Sequence, residues 1–233
     1  MALPKLNTPT YNLNIPSNGK EINYRPYLVR EEKILMIAME SDDMIQVENA
    51  LLEIIKSCVT GIDVNELTRF DSEYVFSKLR AKSVGETAKV AIKCEDCSHS
   101  NEVVVNIDSV SVTDIPSTKI ELSDTTGIIM KFPSMKDYKE IQKLKADNNI
   151  DALFNVIISS IESIYQGEDL FHASSHTRSE LNDFVDSLNS AQFKLIQNFI
   201  TNMPQAYINL NFKCEECGHE HDTELKGMAN FFG

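Results

Sequence analysis

Four of the five cysteines in this 233-residue chain fall in two Cys-x-x-Cys pairs, Cys94 with Cys97 and Cys214 with Cys217. A two-residue spacing turns both thiols to one side of a tight loop, where both reach the same ion. Two such turns supply the four soft ligands of a tetrahedral zinc, and four thiolates leave no position open for water or substrate. The chemistry expected is one structural zinc held by Cys94, Cys97, Cys214 and Cys217, rather than a catalytic metal. Gly218 gives the second knuckle the backbone freedom of a sharp turn, and Ser98 takes the same place in the first.

Other chemistries compete for these residues. His99, His219 and His221 stand beside the knuckles and could complete two separate Cys/His sites or replace a cysteine ligand. A single residue separates Cys97 from His99 and Cys217 from His219, which is tight for chelation, and the first knuckle has one histidine to offer. A redox dithiol belongs at a helix N-terminus near a βαβ unit, whereas both pairs lie between strand-like runs. Cys58 sits in the apolar helical stretch Leu51 to Val59 and reads as a small buried hydrophobe. No Gly-rich phosphate loop, Gly-x-Ser-x-Gly elbow or His-Glu-x-x-His is found. His172 and His176 read as surface histidines in a loop or helix start. Glu31-Glu32 and Asp42-Asp43 read as solvated faces or helix-start residues.

The knuckles belong to an internal repeat. Val90-Ala-Ile-Lys-Cys-Glu-Asp-Cys-Ser-His-Ser-Asn-Glu-Val matches Leu210-Asn-Phe-Lys-Cys-Glu-Glu-Cys-Gly-His-Glu-His-Asp-Thr at an offset of 120 residues. Strand-like runs flank each knuckle, so the pair predicts a small ribbon assembled from distant segments, with 116 residues lying between Cys97 and Cys214. A metal there would pin the two ends of the insertion together and remove chain entropy from the unfolded state.

The elements around the ribbon follow from periodicity. Alternating apolar residues (Tyr11, Leu13, Ile15, then Ile22, Tyr24) flank Ser17-Asn18-Gly19-Lys20, and Asn-Gly tolerates positive φ, so residues 9–28 predict a β-hairpin. Pro16 and Pro26 keep its strands at edges or ends. Helices are expected over Arg30–Met39 and over Met44–Cys58, the latter capped from Ser41-Asp42-Asp43, with one or two more over Asp63–Lys82. Thr118–Leu122 and Gly127–Phe132 predict a strand pair. Ser134–Ala146 predicts a helix capped by Ser134, Ile150–Ile164 a buried helix, and Gly167–Thr177 a polar joint. Helices at Arg178–Leu188 and Ala191–Asn202 then end before Pro204, and Ala206–Leu225 closes as strand, knuckle, strand. The class is α+β: an N-terminal β-hairpin plus helices (1–87), followed by a split zinc-ribbon-like β region enclosing a helical insert (88–233).

Composition limits the partners. Twenty-two Lys and Arg against 35 Asp and Glu give a net charge of −13, and no basic stripe tracks a phosphate backbone, which argues against nucleic acid. No apolar run approaches the length of a membrane span and no secretory signal opens the chain, so a soluble protein with no membrane role is expected.

Residues 8–41, and above all Tyr24-Arg25-Pro26-Tyr27-Leu28-Val29-Arg30-Glu31-Glu32-Lys33 preceded by Pro16-Ser17, resemble the opening of a T-even-type bacteriophage baseplate family. That family includes a baseplate hub subunit and a related hub assembly catalyst. The resemblance implies a structural or assembly role at the hub of a contractile-tailed phage. The protein would be made in the host bacterial cytoplasm, with the virion tail baseplate as its further place. It would act through contacts with other baseplate proteins, self-association being open, and no catalytic residue is implied. In the block itself, Arg25 and Glu31-Glu32-Lys33 would either set the hairpin against the first helix or contact a partner directly. The hairpin and Phe231-Phe232 are candidate partner surfaces, and both could equally be packed in the core. A zinc-ribbon adaptor or regulatory binding module, and a Cys-x-x-Cys thiol oxidoreductase, are the alternative functions. The first would need a basic face where Glu95, Asp96, Glu215, Glu216 and Glu220 stand.

Overall fold

A computed structural model describes residues 7–41, 43–144 and 148–227. The Phe231-Phe232 tail lies outside the described residues. Along the chain run β1 (Tyr11–Asn14), β2 (Glu21–Tyr24), α1 (Val29–Met39), α2 (Met44–Cys58), β3 (Val59–Thr60), α3 (Arg69–Ser83), β4 (Thr87–Lys93), β5 (Ser100–Asn106) and β6 (Ser111–Val112). They continue with β7 (Lys119–Glu121), β8 (Thr126–Met130), α4 (Met135–Lys143), α5 (Asn149–Ser159), β9 (Ile161–Gln166), β10 (Asp169–His172), α6 (Arg178–Asp186), α7 (Ser190–Thr201), β11 (Ala206–Lys213) and β12 (Glu220–Lys226). The mixture is α+β, as expected. Two compact units form, one from residues up to Thr113 together with those from Gln205, the other from Asp114 to Pro204.

In the first unit the expected hairpin is present. β1 and β2 pair antiparallel with Tyr11 opposite Tyr24, Gly19 takes a positive φ of 69° in the loop, and β3 adds to β2. Its inward residues Ile15, Ile22 and Tyr24 pack with Leu51, Ile54 and Ile55 of α2 and Val75, Phe76 and Leu79 of α3. Asp43 caps α2 by accepting from the Ile45 N–H. Thr68 and Asp71 form a reciprocal capping box at α3, and Asp71 also accepts the Ser17 N–H, tying the hairpin loop to that helix. Cys58 is buried in this core, and its thiol is pushed up to about 11 by that burial. Glu31 is not on a solvated face. It is 2% exposed, with Arg25 and Arg30 at 2.9 and 2.6 Å, so the Arg25 contact joins the hairpin's exit to α1 as the residue block suggested.

The rest of this unit is two hairpins. β4 and β5 pair antiparallel above the first knuckle, and β11 pairs with β12 above the second and with β6 on its other side. Val90, Val105, Ile107, Ala206, Ile208 and Leu210 share a core with Ala81 of α3. The boundary expected between residues 87 and 88 therefore falls inside the unit, because α3 and both hairpins bury the same apolar surface. Thr113 and Gln205 sit side by side where the chain leaves for the insertion and returns: the Thr113 N–H donates to the Gln205 carbonyl at 3.1 Å, and the Gln205 N–H to Thr113 Oγ1 at 3.1 Å.

The second unit is an antiparallel sheet in the order β10-β9-β8-β7 with α4 to α7. Ile128, Met130, Ile157, Ile161, Ile196 and Phe199 are in its core. Ser134 caps α4 as expected. The helix expected over 150–164 ends at Ser159, and Ile161 to Gln166 is a strand instead, with Ile161 and Ser163 buried and Glu162 exposed between them. The expected joint over 167–177 contains β10, reached through a two-residue turn with Gly167 at a φ of 60°. Both corrections have one cause: Ile161-Glu-Ser-Ile-Tyr alternates in a strand as well as it extends an Ile-rich helix, and its pairing with β8 decides. Gly127 of β8 has no room for a side chain, since a Cβ there would lie 2.2 Å from Tyr165 Oη and 2.5 Å from the Ile120 carbonyl oxygen.

Candidate metal centre

Each knuckle is a hairpin loop built in the same way. The Cys94 N–H donates to the His99 carbonyl at 2.8 Å and the Ser98 N–H to the Cys94 carbonyl at 2.9 Å; the Cys214 N–H donates to His219 at 2.8 Å and the Gly218 N–H to Cys214 at 3.0 Å. Both turns need a left-handed residue, Gly218 with φ 76° and Ser98 with φ 60°; among the described residues, Ser98 is the one non-glycine of positive φ. The 120-residue repeat is therefore a repeat of backbone geometry as well as of residue type.

The two loops meet at their cysteines. All four Sγ atoms lie within 4.8 Å of one another, with Cys94 and Cys217 at 3.6 Å and Cys97 and Cys214 at 3.6 Å. A tetrahedron of metal–sulfur bonds of about 2.3 Å has edges of about 3.8 Å, so this set can hold a metal ion with little movement. Each short edge joins the inner cysteine of one knuckle, Cys94 or Cys214, to the outer cysteine of the other. Two separate Cys/His sites would instead draw the pairs apart.

The electrostatics of Cys97, Cys214 and Cys217 reflect this crowding. Backbone N–H groups of Cys217 and Glu216 stabilise the Cys214 thiolate and bring its pKa down to about 6. The His219 N–H favours the Cys217 thiolate too, but burial and the sulfurs of Cys97, Cys94 and Cys214 outweigh it and push that thiol up to about 12. Cys97 is raised as well: the His99 N–H and the Cys217 thiol favour its thiolate, but burial and the sulfurs of Cys214 and Cys94 outweigh them. Four sulfurs this close cannot all ionise against one another, and a divalent cation removes the conflict.

Of the three histidines, His221 is the one whose ring nitrogen approaches a sulfur among the described residues, with Nε2 3.3 Å from Cys94 Sγ. Its ring stacks on Phe212 at 4.5 Å and meets the edge of His219 at 4.7 Å. Asn101, 2% exposed, donates to the His99 carbonyl at 3.2 Å and accepts the Glu215 N–H at 2.9 Å, bridging the knuckles. Asn101 was not singled out from sequence, although the repeat carries the signal: it aligns with His221. Glu95, Asp96, Glu215, Glu216 and Glu220 are exposed around the loops. His172 and His176 are exposed in the second unit, as expected.

No helix among the described residues is long and apolar enough to cross a membrane. No solved structure matches the chain. Among curated proteins, the baseplate hub assembly protein gp26 of Enterobacteria phage T4 is 24% identical over 223 residues, covering 95% of this chain and 97% of that one. The family described as T4 bacteriophage base plate protein matches residues 8–233. A match running from the opening hairpin through both knuckles and the insertion between them makes the chain a member of the T4 bacteriophage base plate protein family.

Proposed function

We propose that this protein helps build the baseplate hub of a contractile-tailed phage, without catalysis and through contacts with other baseplate proteins, around one structural Zn2+ held by Cys94, Cys97, Cys214 and Cys217. The observation that carries the role is the end-to-end correspondence with a protein named for baseplate hub assembly, in which neither chain has a large part unmatched. The four converging sulfurs carry the metal: a four-thiolate set suits zinc and leaves no open coordination position for chemistry. The protein would be made and used in the host bacterial cytoplasm. Retention in the virion tail baseplate would mark it as a hub subunit, and loss after assembly as an assembly factor.

The contact surface follows from what the fold leaves uncovered. Ile15, Ile22 and Tyr24 of the hairpin are core residues, so that face is not offered to a partner. Exposed apolar side chains gather instead on α1 and the start of α2, with Val29 at 78%, Met36 and Ile37 at 60% each and Ile45 at 54%. Two measurements test the reading. A phage lacking the gene should accumulate tail parts without completed baseplates, as seen by electron microscopy, and normal baseplates would refute the role. Protein purified without added metal should contain near one zinc per chain; near two would favour independent Cys/His sites, and none would remove the metal.

A further inference from the structure

The repeat places one residue of each knuckle hairpin in a special position. Seven residues after the first cysteine stand Asn101 and His221, 2% and 8% exposed, and each reaches across to the opposite knuckle. Asn101 Oδ1 accepts the Glu215 N–H at 2.9 Å, while its Nδ2 holds the His99 carbonyl of its own loop at 3.2 Å. His221 Nε2 lies 3.3 Å from Cys94 Sγ, with the imidazole held flat against Phe212 at an interplanar angle of 11°. A carboxamide and an imidazole thus fill one structural place in two copies of a hairpin, and their contacts cross.

The chemistry of the crossing groups differs in a useful way. Four thiolates around a divalent ion carry a net charge of −2, and N–H donors aimed at the sulfurs offset that excess without entering the coordination sphere. Backbone N–H groups of Cys217, Glu216 and His219 already serve Cys214 and Cys217. Cys94 is among the most buried of the four, and the side chain at its sulfur is His221.

Resting on the zinc reading above, we propose that His221 and Asn101 are crossed positioning residues of the site. His221 donates its Nε2–H to Cys94 Sγ and holds that thiolate on the ion without ligating it. Asn101 clamps the second knuckle to the first, so that the sulfurs converge before the metal arrives. The four sulfurs occupy all four vertices of the tetrahedron, which leaves the imidazole outside it.

The experiment uses the full-length chain as wild type and as H221F, H221Q and N101A. Metal content and the absorption spectrum of the cobalt(II)-substituted protein are recorded first, then the rate of zinc transfer to an excess of a chromophoric chelator. Phenylalanine keeps the stacking surface and loses the donor, whereas glutamine can still donate. The expected result is a four-sulfur cobalt spectrum in every protein, with zinc lost from H221F roughly 10 to 100 times faster than from wild type. H221Q should fall between the two, and N101A should weaken cobalt binding at least tenfold with no change of ligand set. Should H221F not fold, H221L gives the same donor comparison against H221Q. Equal zinc transfer from folded wild type and H221F overturns the proposal. So does a wild-type spectrum with a nitrogen ligand that disappears in H221F, because His221 would then bind the ion. A wild-type protein without metal removes the zinc reading itself, an outcome distinct from both.

Discussion

Glu31 offers the most quantitative test of how the N-terminal hairpin is fastened to the helices. Its carboxylate receives Arg25 Nη2 at 2.9 Å, Arg30 Nε at 2.6 Å and the Leu28 N–H at 2.8 Å. Arg25 also donates to the carbonyls of Pro26 at 2.9 Å and Ser57 at 3.0 Å, so a single ionic group joins the end of the hairpin, the start of α1 and the end of α2. Burial acts to raise the Glu31 pKa, but Arg25, the Leu28 N–H and Arg30 together outweigh it and lower it from 4.5 to about 2. A carboxyl held at about 2 instead of 4.5 corresponds to about 3 kcal/mol. Because the folded value lies below the unfolded one, this stability is complete above pH 4.5 and is lost as pH falls through about 2. Replacing Glu31 with Gln should cost about 3 kcal/mol near pH 6, since the buried carboxylate that three donors favour is gone and the partly buried Arg25 loses its counterion. Urea unfolding followed by circular dichroism at pH 6, 4, 3 and 2 reads the gap between the two proteins, which should close by about 3 kcal/mol across that range. Any metal lost in acid is lost from both, so the gap isolates the carboxylate. A gap that stays constant from pH 6 to pH 2, or an E31Q cost under about 1 kcal/mol at pH 6, would refute the reasoning.

Three further outcomes are expected. If the four cysteines hold zinc as proposed, removing it should loosen the first unit by about 3.5 kcal/mol when the insertion stays folded and leaves about 27 residues to close, and by about 5 kcal/mol if the whole loop unfolds. Hydrogen exchange checks this by acceleration in β4, β5, β11 and β12 with β8 and β9 unchanged. Gly127→Ala should destabilise the second unit by about 1 to 3 kcal/mol in thermal unfolding, and Tyr165→Phe should rescue only part of the loss because the Ile120 carbonyl still blocks the Cβ. The double change Met36→Asp and Ile37→Asp on α1 should alter stability by less than about 1 kcal/mol, yet fail to complement a phage lacking the gene.

Local signals in the residues located most of this fold. Asn18-Gly19 marks the hairpin loop, Asp43 and Ser134 cap the helices they precede, and the repeat marks two hairpins and four sulfurs that converge. Ile161 to Gln166 was not legible as a strand, because a short Ile-rich run fits either period and its pairing with β8 comes from residues more than thirty positions away. Glu31 could be recognised as a first-turn acid, but its burial depends on Arg25 and Arg30 folding over it. The crossing roles of Asn101 and His221 were present in the repeat as an aligned pair. They become visible only when the two loops are brought face to face, since each residue makes a contact on the other copy.

The junction between Thr113 and Gln205 carries a consequence for how such a chain tolerates change. Where a polypeptide departs and re-enters across adjacent hydrogen-bonded residues, the host framework registers only a turn, whatever length lies beyond it. Ninety-odd residues can therefore be shortened, exchanged or decorated as a cassette while the doubled hairpin keeps its register.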